Sequence, residues 1–161
     1  MNERLLNSMA TARVPMKRIG THTLDLPRYE TDGAAAMDLR LCIHDREHGV
    51  IWIHPSRRLL ANTGFAMAIP QGLELQIRPR SGLANQKMLT VLNSPGTIDS
   101  DYRGEIKVLL VNHSREIVRL EHGDRIAQAV LAPVIRAVPW EVDELPGTAR
   151  GEGGFGHTGR N

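Results

Sequence analysis

Apolar and polar residues alternate along Leu73-Glu74-Leu75-Gln76-Ile77-Arg78, the period of a strand with one buried face. The same alternation opens Glu105-Ile106-Lys107-Val108 and then runs into the apolar Leu109-Leu110-Val111. Val50-Ile51-Trp52-Ile53 is a short run of β-forming side chains and fits a buried strand better than a helix. The stretch from Arg125 to Val138 is long enough for a helix. Pro133 interrupts it, however, and Ile126, Gln128 and Val130 alternate, so a strand is expected there. The best candidate for a helical turn is Ser81–Lys87.

Turn-forming clusters separate these runs: Pro70-Gln71-Gly72, Asn93-Ser94-Pro95-Gly96, Asn112-His113-Ser114 and His122-Gly123-Asp124. Many short strands with regular turns predict an all-β sandwich or barrel. No repeat of solenoid period is present.

Composition narrows the partners. The 161 residues suffice for one core, and 41% hydrophobic with 24% charged residues is ordinary for a globular protein. Twenty Lys and Arg face 18 Asp and Glu, and a formal charge of +2 with scattered basic residues does not suggest a nucleic-acid partner. No apolar run approaches the roughly 18 residues of a membrane span. The single cysteine, Cys42, fits a reducing compartment, and a cytoplasmic location is expected. Its neighbours Leu41 and Ile43 mark it as a buried structural thiol.

The ends differ from the middle. Residues 1–14 read as a flexible N-terminus, 15–145 as the β domain, and 146–161 as a flexible tail. That tail holds six glycines and almost no apolar side chains, too little to offset its ordering entropy. Yet Phe155, one of two phenylalanines, lies within it, beside the donors Arg150, His157 and Thr158. Glycines there let backbone N–H groups approach an anion. The combination suits a lid that orders on a nucleotide.

Four further segments carry candidate chemistry. Pro79–Ala84 places a cation, Arg80, and a hydroxyl, Ser81, at the start of the helical turn, where free N–H groups favour an anion. The plainer account makes Ser81 an N-cap. Asn93–Ile106 is long and polar for a hairpin loop; it carries Asp99, Asp101 and the flat, polar-tipped ring of Tyr102. Asp38 interrupts a strand-like run and can point away from Met37 and Leu39, either into solvent or towards Mg²⁺. In Gly123–Val130, Gln128 lies opposite Ala127 and Ala129, and Asp124 with Arg125 reads as a surface pair. Zinc-ligand spacing, a GxxxxGK[ST] loop and a GxSxG elbow are all missing from the sequence.

Taken in order, AAAMDLR (34–40), PRSGLA (79–84), GTIDSDYRG (96–104), GDRIAQAV (123–130) and RGEGGFGHTG (150–159) resemble the five motifs of the trimeric dUTPase family. The resemblance implies a β jelly-roll protomer and a homotrimer whose active sites are each shared by three subunits. It implies hydrolysis of dUTP to dUMP and pyrophosphate with Mg²⁺. Asp38 would hold the metal through water, and Arg80, Ser81 and Gln128 would contact the phosphates. Asp99 would orient the attacking water, Asn93 would read uracil, and Tyr102 would pack under deoxyribose. Phe155 would close over the base while Arg150, His157 and Thr158 clamp the γ-phosphate. Gly82, Gly96, Ile98, Lys107 and Gly156 complete the implied substrate-binding set. The chain departs from the family pattern at Ala36, where Gly is usual, and at Gln86-Lys87-Met88, where Lys-His-Gly is common. His157 likewise stands where Ser is common. Two rival readings are a same-fold dCTP deaminase, which lacks an evident proton-shuttling Glu here, and a dUTP-responsive regulatory trimer without turnover.

Overall fold

The computed structural model describes residues 11–44 and 49–154. Ten strands and one short helix follow in the order β1 (Met16–Arg18), β2 (Met37–Arg40), β3 (Val50–Ile53), β4 (Arg58–Met67), β5 (Leu73–Arg78), α1 (Ser81–Lys87), β6 (Leu89–Val91), β7 (Gly96–Ile98), β8 (Glu105–Asn112), β9 (Val118–Glu121) and β10 (Arg125–Pro133). They form two four-stranded sheets, β1-β4-β8-β6 and β2-β10-β5-β7, and a two-stranded β3-β9 ribbon. All named pairings are antiparallel. This is the jelly-roll class of protomer that the motif pattern implies.

Alternation produces the core. β8 turns Ile106, Val108 and Leu110 inward from one sheet; β2, β5 and β10 send Leu39, Leu75, Ile77, Ala127 and Ala129 from the other. Burying each large aliphatic side chain contributes about 1.5–3 kcal/mol. A one-residue slip would therefore expel a whole apolar row, so register is strongly specified. Asn112 is fully buried without being a defect: its amide donates to the carbonyls of Ile53 and Glu116 and accepts from Ser114 N–H, each at 2.8 Å. Cys42 is buried beside Leu24 and Phe65, as expected of a structural thiol.

β3 is a strand as expected but not a buried one: only Ile53 is covered, and Val50 and Trp52 are 37 and 57% exposed, because the two-stranded ribbon has one open face. Two further expectations need correction. β10 ends at Pro133 rather than reaching Val138. Val134 N–H still bonds Gly72 O at 2.9 Å, but no strand or helix follows among the described residues to Gly154. Beyond Pro133, Ile135, Val138, Trp140 and Leu145 are 95, 80, 80 and 84% exposed, an apolar arm that its own sandwich leaves uncovered. Second, Ser81 is not the N-cap. That place falls to Arg80, with no side-chain cap bond.

Candidate active site

The strand ladder gathers three of the expected residues. On β10, Gln128 stands opposite Asp38 of β2 on one side and Arg78 of β5 on the other. The two-residue period turns Asp38 and Gln128 away from the core while Met37, Leu39, Ala127 and Ala129 enter it. Arg80, just past β5, donates from Nε to Asp38 Oδ1 at 3.0 Å. Arg125 donates from Nη1 to Asp38 Oδ2 at 3.1 Å. Arg80 also reaches Arg125 O at 3.3 Å, and Gln128 Nε2 donates to Pro79 O at 2.9 Å. The Asp38 side chain is only 14% exposed. Two guanidinium groups supply the hydrogen bonds that water cannot, and they leave a net positive charge at the mouth of the sheet. Ser81 and Gly82 follow Arg80 and are exposed.

Sequence reasoning missed Arg125. It paired this residue with Asp124, whereas Asp124 accepts Glu121 N–H at 2.8 Å and Arg125 crosses to Asp38. No local pattern carries that contact, because its partners are 87 residues apart.

The loop from Asn93 to Glu105 forms a second group. The Asn93 side chain packs against Gly96, where an added Cβ would sit 3.3 Å from its amide nitrogen and from Ile77 Cβ. Asp99 O accepts Tyr102 N–H at 3.2 Å, closing a turn. The Tyr102 ring lies directly over Gly104, which has no room for a side chain, and its hydroxyl donates to Glu105 O at 3.0 Å. Arg103 ties the turn by donating to Ser100 O and Tyr102 O at 2.7 and 2.8 Å. Ile98 is half-buried at the end of β7, and Asp99 is exposed. Asp99 lines a cleft of about 630 Å³ together with Glu74, Thr97 and Arg136.

These two groups do not meet within one chain. β2 and β7 are the opposite edges of their sheet, three strand spacings apart, or roughly 14 Å. β7 is antiparallel to β5 and pairs Ile98 with Leu75, so Asp99 emerges at the Glu74 end. Arg80 emerges at the other end, six residues or about 20 Å along β5. Lys107 lies on the other sheet, opposite Asn62. Arg150 donates to Gly153 O at 2.7 Å within its own turn. Phe155, Gly156, His157 and Thr158 lie outside the described residues.

A metal has limited room to be held by protein alone. Among the described residues no three His, Cys, Asp or Glu side chains converge. Asp38 already accepts one arginine on each oxygen but keeps a free lone pair on each. This donor set fits Mg²⁺ carried by substrate phosphates and held through its water shell, and it does not fit an all-protein cage.

Fold and cluster together define a class: an all-β protein with an anion-directed site at one sheet end and, at the other, a separate loop carrying a carboxylate and an exposed aromatic ring. Comparison with known proteins makes this specific. The family model described as dUTPase matches residues 22–159. The deoxyuridine 5'-triphosphate nucleotidohydrolase of Desulfotalea psychrophila is 58% identical over 139 residues, which is 86% of this chain and 90% of that protein. The solved dUTPase of Streptococcus mutans superposes with a TM-score of 0.68 at 29% identity, covering 77% of this chain and 98% of that one. The Staphylococcus bacteriophage 80alpha dUTPase with dUPNHPP shares the fold, with a TM-score of 0.79 at 22% identity over 92% of this chain and 99% of that one. The chain belongs to the dUTPase family.

Proposed function

We propose that this protein hydrolyses dUTP to dUMP and pyrophosphate, as a homotrimer whose active sites are shared between subunits. One observation carries the shared-site reading. Asp38 of the Asp38–Arg80–Arg125 cluster and the strand leading into the Asp99–Tyr102 loop lie at opposite edges of one sheet, and the two groups emerge at opposite ends of it. A neighbouring copy can bring its loop to this cluster. The exposed apolar arm around Ile135, Val138, Trp140 and Leu145 supports association, because burying it against another copy would remove those side chains from water.

In this reading Arg80, Ser81 and Gln128 bind the phosphate chain, with Gly82 leaving the backbone accessible. Asp38 holds both arginines in place and would hold Mg²⁺ through water. The metal, when bound, would neutralise triphosphate charge. Asn93, Gly96 and Ile98 form the uracil slot of the loop, and Tyr102 packs under deoxyribose where a 2′-hydroxyl would collide. Lys107 contributes a cation from β8, the strand that follows that loop. Asp99 accepts a proton from water as it attacks the α-phosphorus, and pyrophosphate leaves. The tail closes from the remaining subunit: Phe155 and Gly156 cover the base, while Arg150, His157 and Thr158 clamp the γ-phosphate. Residues 1–14 stand outside this machinery, and the tail is taken to begin at 146. Among the described residues no helix is long and apolar enough to cross a membrane. A cytoplasmic location accords with the reaction and with a single buried thiol. No observation favours the deaminase or the regulatory reading.

The test is pyrophosphate release with Mg²⁺ on dUTP, dTTP, dCTP and UTP. Strong preference for dUTP, lost on chelation, is the expected result. Ammonia release from dCTP, or nucleotide binding without turnover, would replace this reading with one of its rivals.

A further inference from the structure

The β4–β8 ladder breaks just where the Tyr102 loop joins it. Its register steps from Asn62↔Lys107 to Ala66↔Glu105, so Thr63, Gly64 and Phe65 together face Ile106 alone. A bulge of this kind frees backbone groups from the ladder, and each must find another partner. Thr63 Oγ1 donates to Ile106 O at 2.7 Å. Gly64 N–H turns out of the ladder and donates to Glu105 Oε1 at 2.8 Å. Gly64 O accepts Ile19 N–H at 2.8 Å and lies 2.9 Å from His22 Nε2. Gly64 has φ +78, and an added Cβ would collide with the His22 ring, so the bulge cannot take another residue without shifting.

The Glu105 carboxylate has a second partner. His44 Nε2 lies 3.1 Å from Oε1 and 3.3 Å from Oε2, and it must carry the proton to serve a carboxylate acceptor. The Glu105 side chain is only 11% exposed, so both bonds are largely shielded from water. The main chain of the same residue faces the other way and accepts the Tyr102 hydroxyl at 3.0 Å. Tyr102 in turn lies over Gly104, which gives the ring its seat.

We propose that Glu105 is a positioning residue for sugar selection: the bulge amide of Gly64 and the His44 imidazole anchor its side chain, and its carbonyl sets the height and tilt of the Tyr102 ring. The proposal rests on the reading that Tyr102 packs under deoxyribose. It adds that the discrimination against a 2′-hydroxyl is enforced from behind the ring by the anchor. A ring fixed by van der Waals contact with Gly104 alone could rock away from an extra oxygen. A ring whose hydroxyl is tethered to an immobilised carbonyl cannot, and steric exclusion needs that rigidity.

The experiment compares kcat and KM for dUTP and UTP in the full chain and in Glu105→Ala, Glu105→Gln and His44→Ala. Wild-type turnover of dUTP, measured first, tests the functional reading on its own. Glu105→Ala should then lower the dUTP-over-UTP preference about tenfold, entering through KM, as expected for loss of a single well-placed polar contact. Glu105→Gln keeps an acceptor for Gly64 and should restore most of the preference, whereas His44→Ala should show a smaller loss of the same kind. Amide exchange at residues 99–105 should rise in Glu105→Ala with no nucleotide present, which reads the anchor independently of any activity. An unchanged preference in folded Glu105→Ala and His44→Ala would overturn the proposal, as would a loss confined to kcat. Should Glu105→Ala fail to fold, His44→Ala decides the matter, since it removes one anchor and leaves the Gly64 amide its acceptor.

Discussion

The two halves of the candidate site are held in contrasting ways. Asp38, Arg80, Arg125 and Gln128 come from three separate stretches and meet only because β2, β10 and β5 lie side by side in one register. Asn93 through Glu105 is one continuous stretch, tied to the sheets by β7 at one end and by Glu105 at the other, with residues 99–104 between them bonded mostly to one another. The first half sits on paired strands. The second depends on those two ends, on a few local hydrogen bonds and on the lack of a side chain at Gly104. Charge that must be met by fixed donors sits on the ladder. Asp99 and Tyr102 sit on a loop that projects from the opposite end of the sheet.

The sharpest break of this division leaves both halves intact. Deleting residues 150–161 should remove efficient turnover while the thermal transition stays at its wild-type value, because no core strand lies among the segment's described residues, 150–154. A truncated protein with full activity would end the lid reading. Next, Asp99→Asn should cut turnover by roughly 10²- to 10⁴-fold, the range for loss of a general base, with the oligomer unchanged. Steady-state kinetics beside a light-scattering mass would check it. Asp38→Ala acts on the ladder half and should affect stability as well as activity. It strands two arginines and should cost about 1–3 kcal/mol in urea unfolding, along with weaker nucleotide binding. If its stability matched wild type, the carboxylate would not be organising the cluster.

The smallest effect should come from a place where this chain departs from its family. Met88 caps α1 in the left-handed region, with φ 48 and ψ 30, and its N–H bonds Leu83 O. Glycine is the usual residue at such a cap, and a non-glycine residue there costs roughly 1 kcal/mol. The Met88 side chain is 54% exposed, so little burial offsets the strain. Met88→Gly should therefore raise stability by about 1 kcal/mol and leave kinetics alone. An unchanged or lower melting temperature would mean that the methionine packs against something in the assembled protein.

Much of this molecule was legible in the chain. Strands β3, β5 and β8 and helix α1 fall where alternation and turn residues put them, because period and flanking turns are local properties. Asp38 and Gln128 point away from the core for the same reason. The five motifs identified the family and supplied the candidate site residues. Other features needed the folded chain. Arg125 binds Asp38 because two distant strands share an edge. β10 stops at Pro133, where its partner β5 also begins, so the pairing has no further strand to run against. The anchoring of Glu105 by Gly64 and His44 depends on a bulge set by the pairing of β4 with β8. Sequence determines which residues can bury, turn or carry charge, since those are properties of single side chains and their near neighbours. Which charges meet, and which backbone amides are left to seek a side chain, is decided by strand register, and register is settled only when the two sheets close on a common core.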